Sequence, residues 1–296
     1  NVDDTDPCHF RQAAGGWIVE NDHYVLRISR SGVITRWLDK ITDRVLVQDN
    51  DLYTDAGFAP GGDRYAASND VEAFSRFEHD GGLRLSFRGK LRGFHRFDKR
   101  GTPIEYAIEY VVGASPSFRI GWAISPVADP SGKRAFLSQF LPTPDLKTFQ
   151  YRRNGALIAK GDAGDGKARA FQTGTANPSV APDWIEIGNG VDTLYTLSGI
   201  QTGENSVSNV FVHGPKLFMT FLDGDCRPGT ASRWRSVEAV FTPGSRKPET
   251  GHLEAPRLPA TTESKANLLR DGSFEGSTSH PVSLGTRERI PLPGGQ

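Results

Sequence analysis

The chain has 296 residues, with 35 Lys and Arg against 35 Asp and Glu, a formal net charge of +0. That balance leaves no basic face for nucleic acid, and no run approaches the ~18 consecutive apolar residues of a membrane-spanning helix. Hydrophobic residues make up 36% and aromatics 10%, enough for a packed core, while 33 Gly and 19 Pro predict many short elements joined by turns.

Residues 1–15 are polar and acidic and read as an N-terminal arm. The chain starts at Asn1 and holds one Met, Met219, so a processed or excised chain is expected. Residues 17–49 alternate apolar and polar positions, turn at Ser31-Gly32, then alternate again. That pattern predicts an antiparallel meander with strands at Trp17–Glu20, Tyr24–Ser29, Val33–Leu38 and Arg44–Gln48. Residues 49–72 break the pattern and carry Tyr53, Phe58 and Tyr65 among Asp, Gly, Ala and Asn. Long irregular segments in compact domains often serve function.

Strand pattern returns at Leu83–Arg88 and Leu91–Phe97. In Ile104–Val112, the residues Ile104, Tyr106, Ile108 and Tyr110 share one face, and Glu105, Ala107 and Glu109 the other. A turn at Gly113–Ser115 leads into Ser117–Ile124, so the two segments predict a hairpin. Further strands are predicted at Ala135–Leu141, Thr148–Arg152, Ala168–Thr173, Trp184–Ile187, Thr193–Ser198, Asn209–Val212, Lys216–Leu222 and Ser236–Phe241. Gly161-Asp162-Ala163-Gly164-Asp165-Gly166 reads as a turn; it lacks the acid spacing and closing Glu of a calcium loop. With so many strands and almost no helical periodicity, the fold class is all-β, a large antiparallel β-sandwich over residues 16–243. Residues 244–266 read as a linker, and 267–296 as a C-terminal tail.

The meander at 17–49 resembles the β-sandwich behind the catalytic domain of family-38 glycoside hydrolases, the α-mannosidases. It also resembles the wider galactose-mutarotase-like supersandwich group, which includes several polysaccharide lyases. The matching elements are Val19-Glu20-Asn21, Ser31-Gly32-Val33-Ile34, and Leu38-Asp39-Lys40 before Arg44-Val45-Leu46. The hairpin Ile104–Ile124, Trp184 with Gly188-Asn189-Gly190-Val191, Lys216–Leu222 and Ser236–Phe241 follow in the same order. The tail segment Asn267-Leu268-Leu269-Arg270-Asp271-Gly272-Ser273-Phe274-Glu275 resembles the opening of a jelly-roll carbohydrate-binding module. The resemblance implies a secreted or periplasmic, carbohydrate-associated domain of a glycoside-hydrolase-like protein, binding or supporting an oligo- or polysaccharide, with further domains in a longer parent chain.

Sugar recognition asks for an aromatic face beside polar forks. Trp184, Glu186, Arg64 and Asn69 fit that chemistry, whereas Trp17, Trp37, Trp122 and Trp234 sit in strand alternation and are expected in the core. The alternative is a free-standing lyase acting on a uronate glycan by β-elimination. It would need a base and a carboxylate-neutralising partner. His79 and Tyr65 are the candidates, with Arg64 and Asn69 beside them; His95 and His213 are further bases. A structural or adhesive surface protein is the third reading. No metal-ligand spacing, nucleophile elbow, phosphate loop or dinucleotide fingerprint occurs, so no cofactor or metal is expected. Cys8 and Cys226 would form one disulfide in an exported protein, or else remain two partly buried thiols.

Overall fold

The computed structural model describes residues 8–48, 55–58, 65–66, 72–79, 82–93, 104–124, 135–153, 156–163, 169–174, 184–202, 207–212, 214–222, 235–244 and 287–288. Five strands form a small sheet in chain order: β1 (His9–Ala13), β2 (Gly16–Glu20), β3 (Tyr24–Ser29), β4 (Ile34–Asp39) and β5 (Arg44–Gln48). Sixteen more make a large sheet. They are β6 (Asp55–Phe58), β7 (Tyr65–Ala66), β8 (Ala73–His79), β9 (Gly82–Gly93), β10 (Ile104–Gly113), β11 (Phe118–Ile124), β12 (Ala135–Pro142) and β13 (Thr148–Arg153). The rest are β14 (Ala156–Asp162), β15 (Arg169–Gly174), β16 (Trp184–Gly188), β17 (Thr193–Thr202), β18 (Val207–Val212), β19 (Lys216–Leu222), β20 (Arg235–Pro243) and β21 (Arg287–Glu288). The large sheet runs β14-β13-β16-β17-β20-β11-β10-β9-β7-β6-β12-β19-β18-β15; β8 pairs with β9 and β21 with β8. Every recorded pairing is antiparallel, and the chain is an all-β sandwich as its alternation requires. Among the described residues no helix is long and apolar enough to cross a membrane.

The small sheet packs on one face of the large one, called the inner face below. Strict alternation would put Ile34 and Trp37 on opposite sides of β4. A bulge against β3, between Arg27 and Ile28, brings both inward, and a second against β5 does the same for Leu46 and Val47. From the large sheet, Phe87, Tyr106, Ile108, Tyr110, Phe118, Ile120, Trp122, Ile185, Tyr195 and Phe241 face them. Trp37 lies edge-on to Phe118 at 4.8 Å and packs on Tyr195 at 5.2 Å; Trp17 packs on Phe74 at 5.2 Å and Phe87 at 4.9 Å. Such aromatic pairs add about 0.5–1.5 kcal/mol each beyond the area they bury. Trp17, Trp37 and Trp122 are thus core residues, as their alternation predicts.

Polar clamps set the register between the sheets. Tyr106 and Tyr110 donate their hydroxyls to the carbonyls of Ser31 (2.6 Å) and Gly32 (2.8 Å), at the turn between β3 and β4. Gly32 has φ +80°, and a Cβ there would lie 2.6 Å from that of Phe87, so the turn needs glycine on both counts. Buried Asn21 donates to the carbonyls of Gly113 (2.6 Å) and Ser115 (3.0 Å), tying β2 to the β10–β11 turn.

Several segments depart from the sequence expectation: β8, β14 and β21 fall where no strand is expected, and β14 takes in Gly161 and Asp162 of the expected turn. Residues 9–13 are not part of a free arm but pair with β2 as an edge strand. The irregular stretch 49–72 contributes two short strands, β6 and β7. The strand expected at 83–88 and the first three residues of the one expected at 91–97 are one strand, β9, while 94–97 lie outside the described residues. Gly89, which reads as a break, instead lets Tyr106 approach: a Cβ there would meet the Tyr106 hydroxyl at 2.7 Å. All of the expected linker 244–266 beyond Gly244, the segment 267–275 and Cys226 lie outside the described residues; Cys8 is buried.

Burial raises the pKa of Tyr24, Tyr106, Tyr110 and Tyr195 well above the ordinary phenol value. The unfolded chain ionises these groups near pH ~10 while the native state keeps them neutral. Their contribution is therefore intact below about pH 10 and falls above it, by up to about 1.4 kcal/mol per tyrosine per pH unit. Alkaline titration should release these four phenolates together with the near-ultraviolet dichroism of the fold. Ionisation of all tyrosines near pH ~10 with the dichroism unchanged would contradict this assignment.

Candidate functional site

The face of the large sheet turned away from the small one carries the polar residues. Pairing places them in rows across the strands. One row runs Lys160–Gln150–Glu186–Thr196–Thr242 over β14, β13, β16, β17 and β20. The next runs Arg152–Trp184–Ser198–Val240–Arg119–Val111–Arg84 from β13 to β9. A third holds Glu109, Gly121 and Glu238 side by side on β10, β11 and β20.

At the β14–β13–β16 end this face opens into a groove of about 540 Å³. Gln150, Lys160, Asp162, Glu186 and Asp192 supply its charge and hydrogen-bonding groups, together with Thr148 and Thr193. Glu186 accepts a hydrogen bond from the Gln150 amide and lies 3.7 Å from Arg152 Nε. Trp184, half-buried, is the direct cross-strand neighbour of Arg152. The loop at the groove's end is pre-formed. Asn189 Oδ1 accepts from the backbone N–H groups of Val191 (2.9 Å) and Asp192 (2.7 Å), and Gly190 takes φ +94°. This holds Val191, 91% exposed, on the rim, while Arg44 of β5 anchors Asp192 at 3.3 Å. The groove thus combines acceptor carboxylates, an amide, an ammonium and an exposed apolar rim, with a tryptophan on the adjoining sheet row.

The middle of the same face is closed and ionic. Arg119 donates to Glu238 at 3.1 Å and to Glu109 at 3.4 Å; Arg84 donates to Glu109 at 2.7 Å. Glu109, Arg119 and Glu238 are all buried, beside the small apolar pair Val111 and Val240. Two positive and two negative charges compensate one another, and the geometry is that of an internal strut. Between strut and groove, the Trp184 indole N–H and the Thr196 and Ser198 hydroxyls are buried without hydrogen-bond partners. Among the described residues no three His, Cys, Asp or Glu side chains converge as a metal site.

Of the residues singled out in the sequence, Glu186 lines the groove and Trp184 stands in the adjacent row, outside the lining. His79 lies in β8, six strands away, roughly 29 Å across the sheet at ~4.8 Å per strand. Tyr65 pairs with Gly93 at one end of β9 and His79 with Gly82 at the other. Eleven residues of extended strand separate those two positions, about 36 Å. Arg64 and Asn69, like His95 and His213, lie outside the described residues. Gln150, Arg152, Lys160, Asp162 and Asp192 were not foreseen. The polar positions of the first four within strands, and of Asp192 in a tight loop, were the available signal, but long-range pairing decides which of them meet.

No family model matches the chain, and no curated protein matches it. Among solved structures it is similar to a TPR-domain containing protein from Parabacteroides distasonis (TM-score 0.46, 11% identity), covering 83% of this chain and 50% of that one. It is also similar to a putative mutarotase (YeaD) from Salmonella typhimurium, with TM-score 0.41, 12% identity, and 82% and 95% of the two chains covered. A galactose 1-epimerase from Lactobacillus acidophilus gives TM-score 0.43 and 8% identity over 80% and 99%. The chain spans half the length of the first of these proteins.

Replacing Arg119 by Met should leave the Glu109 and Glu238 carboxylates buried without their shared cation. A loss of about 3–5 kcal/mol is expected, read as a lower denaturation midpoint at unchanged slope. A loss below about 1 kcal/mol would show that these charges are solvated rather than buried.

Proposed function

We propose that this chain is a carbohydrate-associated β-sandwich domain that binds glycan in the groove over β13, β14 and β16. One observation carries the reading: Lys160, Gln150 and Glu186 stand in a single cross-strand row beside the Arg152–Trp184 row. Sugar hydroxyls both donate and accept. Carboxylates and carbonyl oxygens answer their donor side, and ammonium and amide groups answer their acceptor side. The C–H faces of a pyranose ring need apolar surface, which Val191 offers at the rim and half-buried Trp184 on the sheet row beside the groove. The groove is open, which suits a polymer passing through more than a small molecule enclosed.

In this reading the domain works outside the cytoplasm within a glycoside-hydrolase-like protein, and its role is to hold or position glycan for neighbouring domains. The β9 residues that pair with His79 and Tyr65, Gly82 and Gly93, are about 36 Å apart, which speaks against the two acting as a lyase pair. Binding is accordingly preferred to β-elimination.

The test is equilibrium binding to a panel of polysaccharides, with mass spectrometry of the mixture. Trp184→Ala and Glu186→Gln should each weaken the best ligand by about tenfold or more, the scale of a lost contact residue of ~1.4 kcal/mol. Circular dichroism of both variants should match the parent, and no product should form. Unchanged affinity in both variants would remove the groove from the account, and unsaturated products would establish the lyase.

A further inference from the structure

We infer that the groove selects neutral glycans and rejects those carrying carboxylate or sulfate groups. The inference rests on the glycan-binding reading and gives it a substrate class. Four charged residues line the groove: one cation, Lys160, against three carboxylates, Asp162, Glu186 and Asp192. Two guanidinium groups approach these acids from outside the lining. Arg152 Nε lies 3.7 Å from Glu186, and Arg44 lies 3.3 Å from Asp192. Each is engaged by its acid, so neither stands in the lining as a cation for an incoming anion.

Register fixes the arrangement. Glu186 and Lys160 flank Gln150 from opposite sides, and Asp162 lies directly across from Thr148. Any group entering between β14 and β16 therefore meets Asp162, Glu186 or both. A hydroxyl donates to either carboxylate without charge cost. Arg152 and Arg44 compensate Glu186 and Asp192, so the like charge that a uronate carboxylate or a sulfate meets is chiefly that of Asp162, with Lys160 as the one lining cation. The Gln150 amide keeps one N–H for a ligand after donating to Glu186, and this donor suits a hydroxyl or an acyl oxygen. Anion-binding sites are built the other way, with forked guanidinium groups facing the ligand.

The experiment is calorimetry on the whole chain with two sets of soluble oligosaccharides of matched length. One set is neutral (gluco-, manno-, galacto- and xylo-oligomers), and the other is anionic (galacturonate and mannuronate oligomers). At low salt the best neutral ligand should bind at least about tenfold tighter than any uronate, and added salt should narrow the gap by screening. Asp162→Asn should narrow it too, by raising uronate affinity several-fold. A uronate that binds as tightly as the best neutral oligomer, with no response to Asp162→Asn, would overturn the inference while leaving glycan binding standing. No binding by either set would overturn the glycan-binding reading itself.

Discussion

The turn at Ser31-Gly32 is the point on which the two sheets are aligned. Tyr106 and Tyr110 reach across the sandwich to its carbonyls, at 2.6 and 2.8 Å. Two backbone acceptors that would otherwise be buried and unpaired are thereby satisfied, and leaving either one orphaned would cost about 1–3 kcal/mol. Because Tyr106 and Tyr110 are four residues apart on β10 and so share one face, the clamp also fixes which face of that strand points inward. Glu109 lies between them and must face the other way, so the ionic strut on the outer face follows from the clamp on the inner one. Arg119 and Glu238 are then positioned by register with β10 and β20.

The same logic runs along the sheet to the groove. Ile185 and Ile187 are buried on the inner side, which turns Trp184 and Glu186 outward; Phe149 does the same for Gln150. A single-residue slip would exchange the two sets and bury a carboxylate in the aromatic core. The groove's chemistry is thus secured largely by apolar residues packed on the opposite face of the sheet. Its closing loop has separate support, from Asn189 within the loop and from Arg44 on the small sheet.

Much of the architecture was legible because one face of each strand is apolar. The meander at 17–49 and the hairpin at 104–124 sit where period-two alternation places them. The misses have physical causes. Residues 9–13 carry His, Arg and Gln and are mostly exposed, so pairing with β2 rather than burial makes them a strand. Gly89 reads as a break because glycine ends strands more often than it admits a neighbouring tyrosine ring. On β8, Phe74 points to the core and Phe77 to the other face, which hides the alternation. For the site, Trp184 and Glu186 were visible as an aromatic next to an acid in a strand. Gln150, Lys160 and Asp162 are far from them in sequence, and only the β14–β13–β16 pairing joins them. The cluster expected around Tyr65 and His79 followed from proximity in sequence, which β9 undoes by holding the two at its opposite ends.

The central claim is that glycan is held at the groove, and the indole N–H signals of the five tryptophans test it most directly. Trp184 is identified by Trp184→Phe, and a nitrogen–proton correlation spectrum is followed as the best-binding neutral oligosaccharide is added. The account predicts that the Trp184 signal moves in step with binding, while those of Trp17, Trp37 and Trp122, held in the core, stay in place. Saturable binding with no movement at Trp184, or with movement only at the core tryptophans, would contradict it.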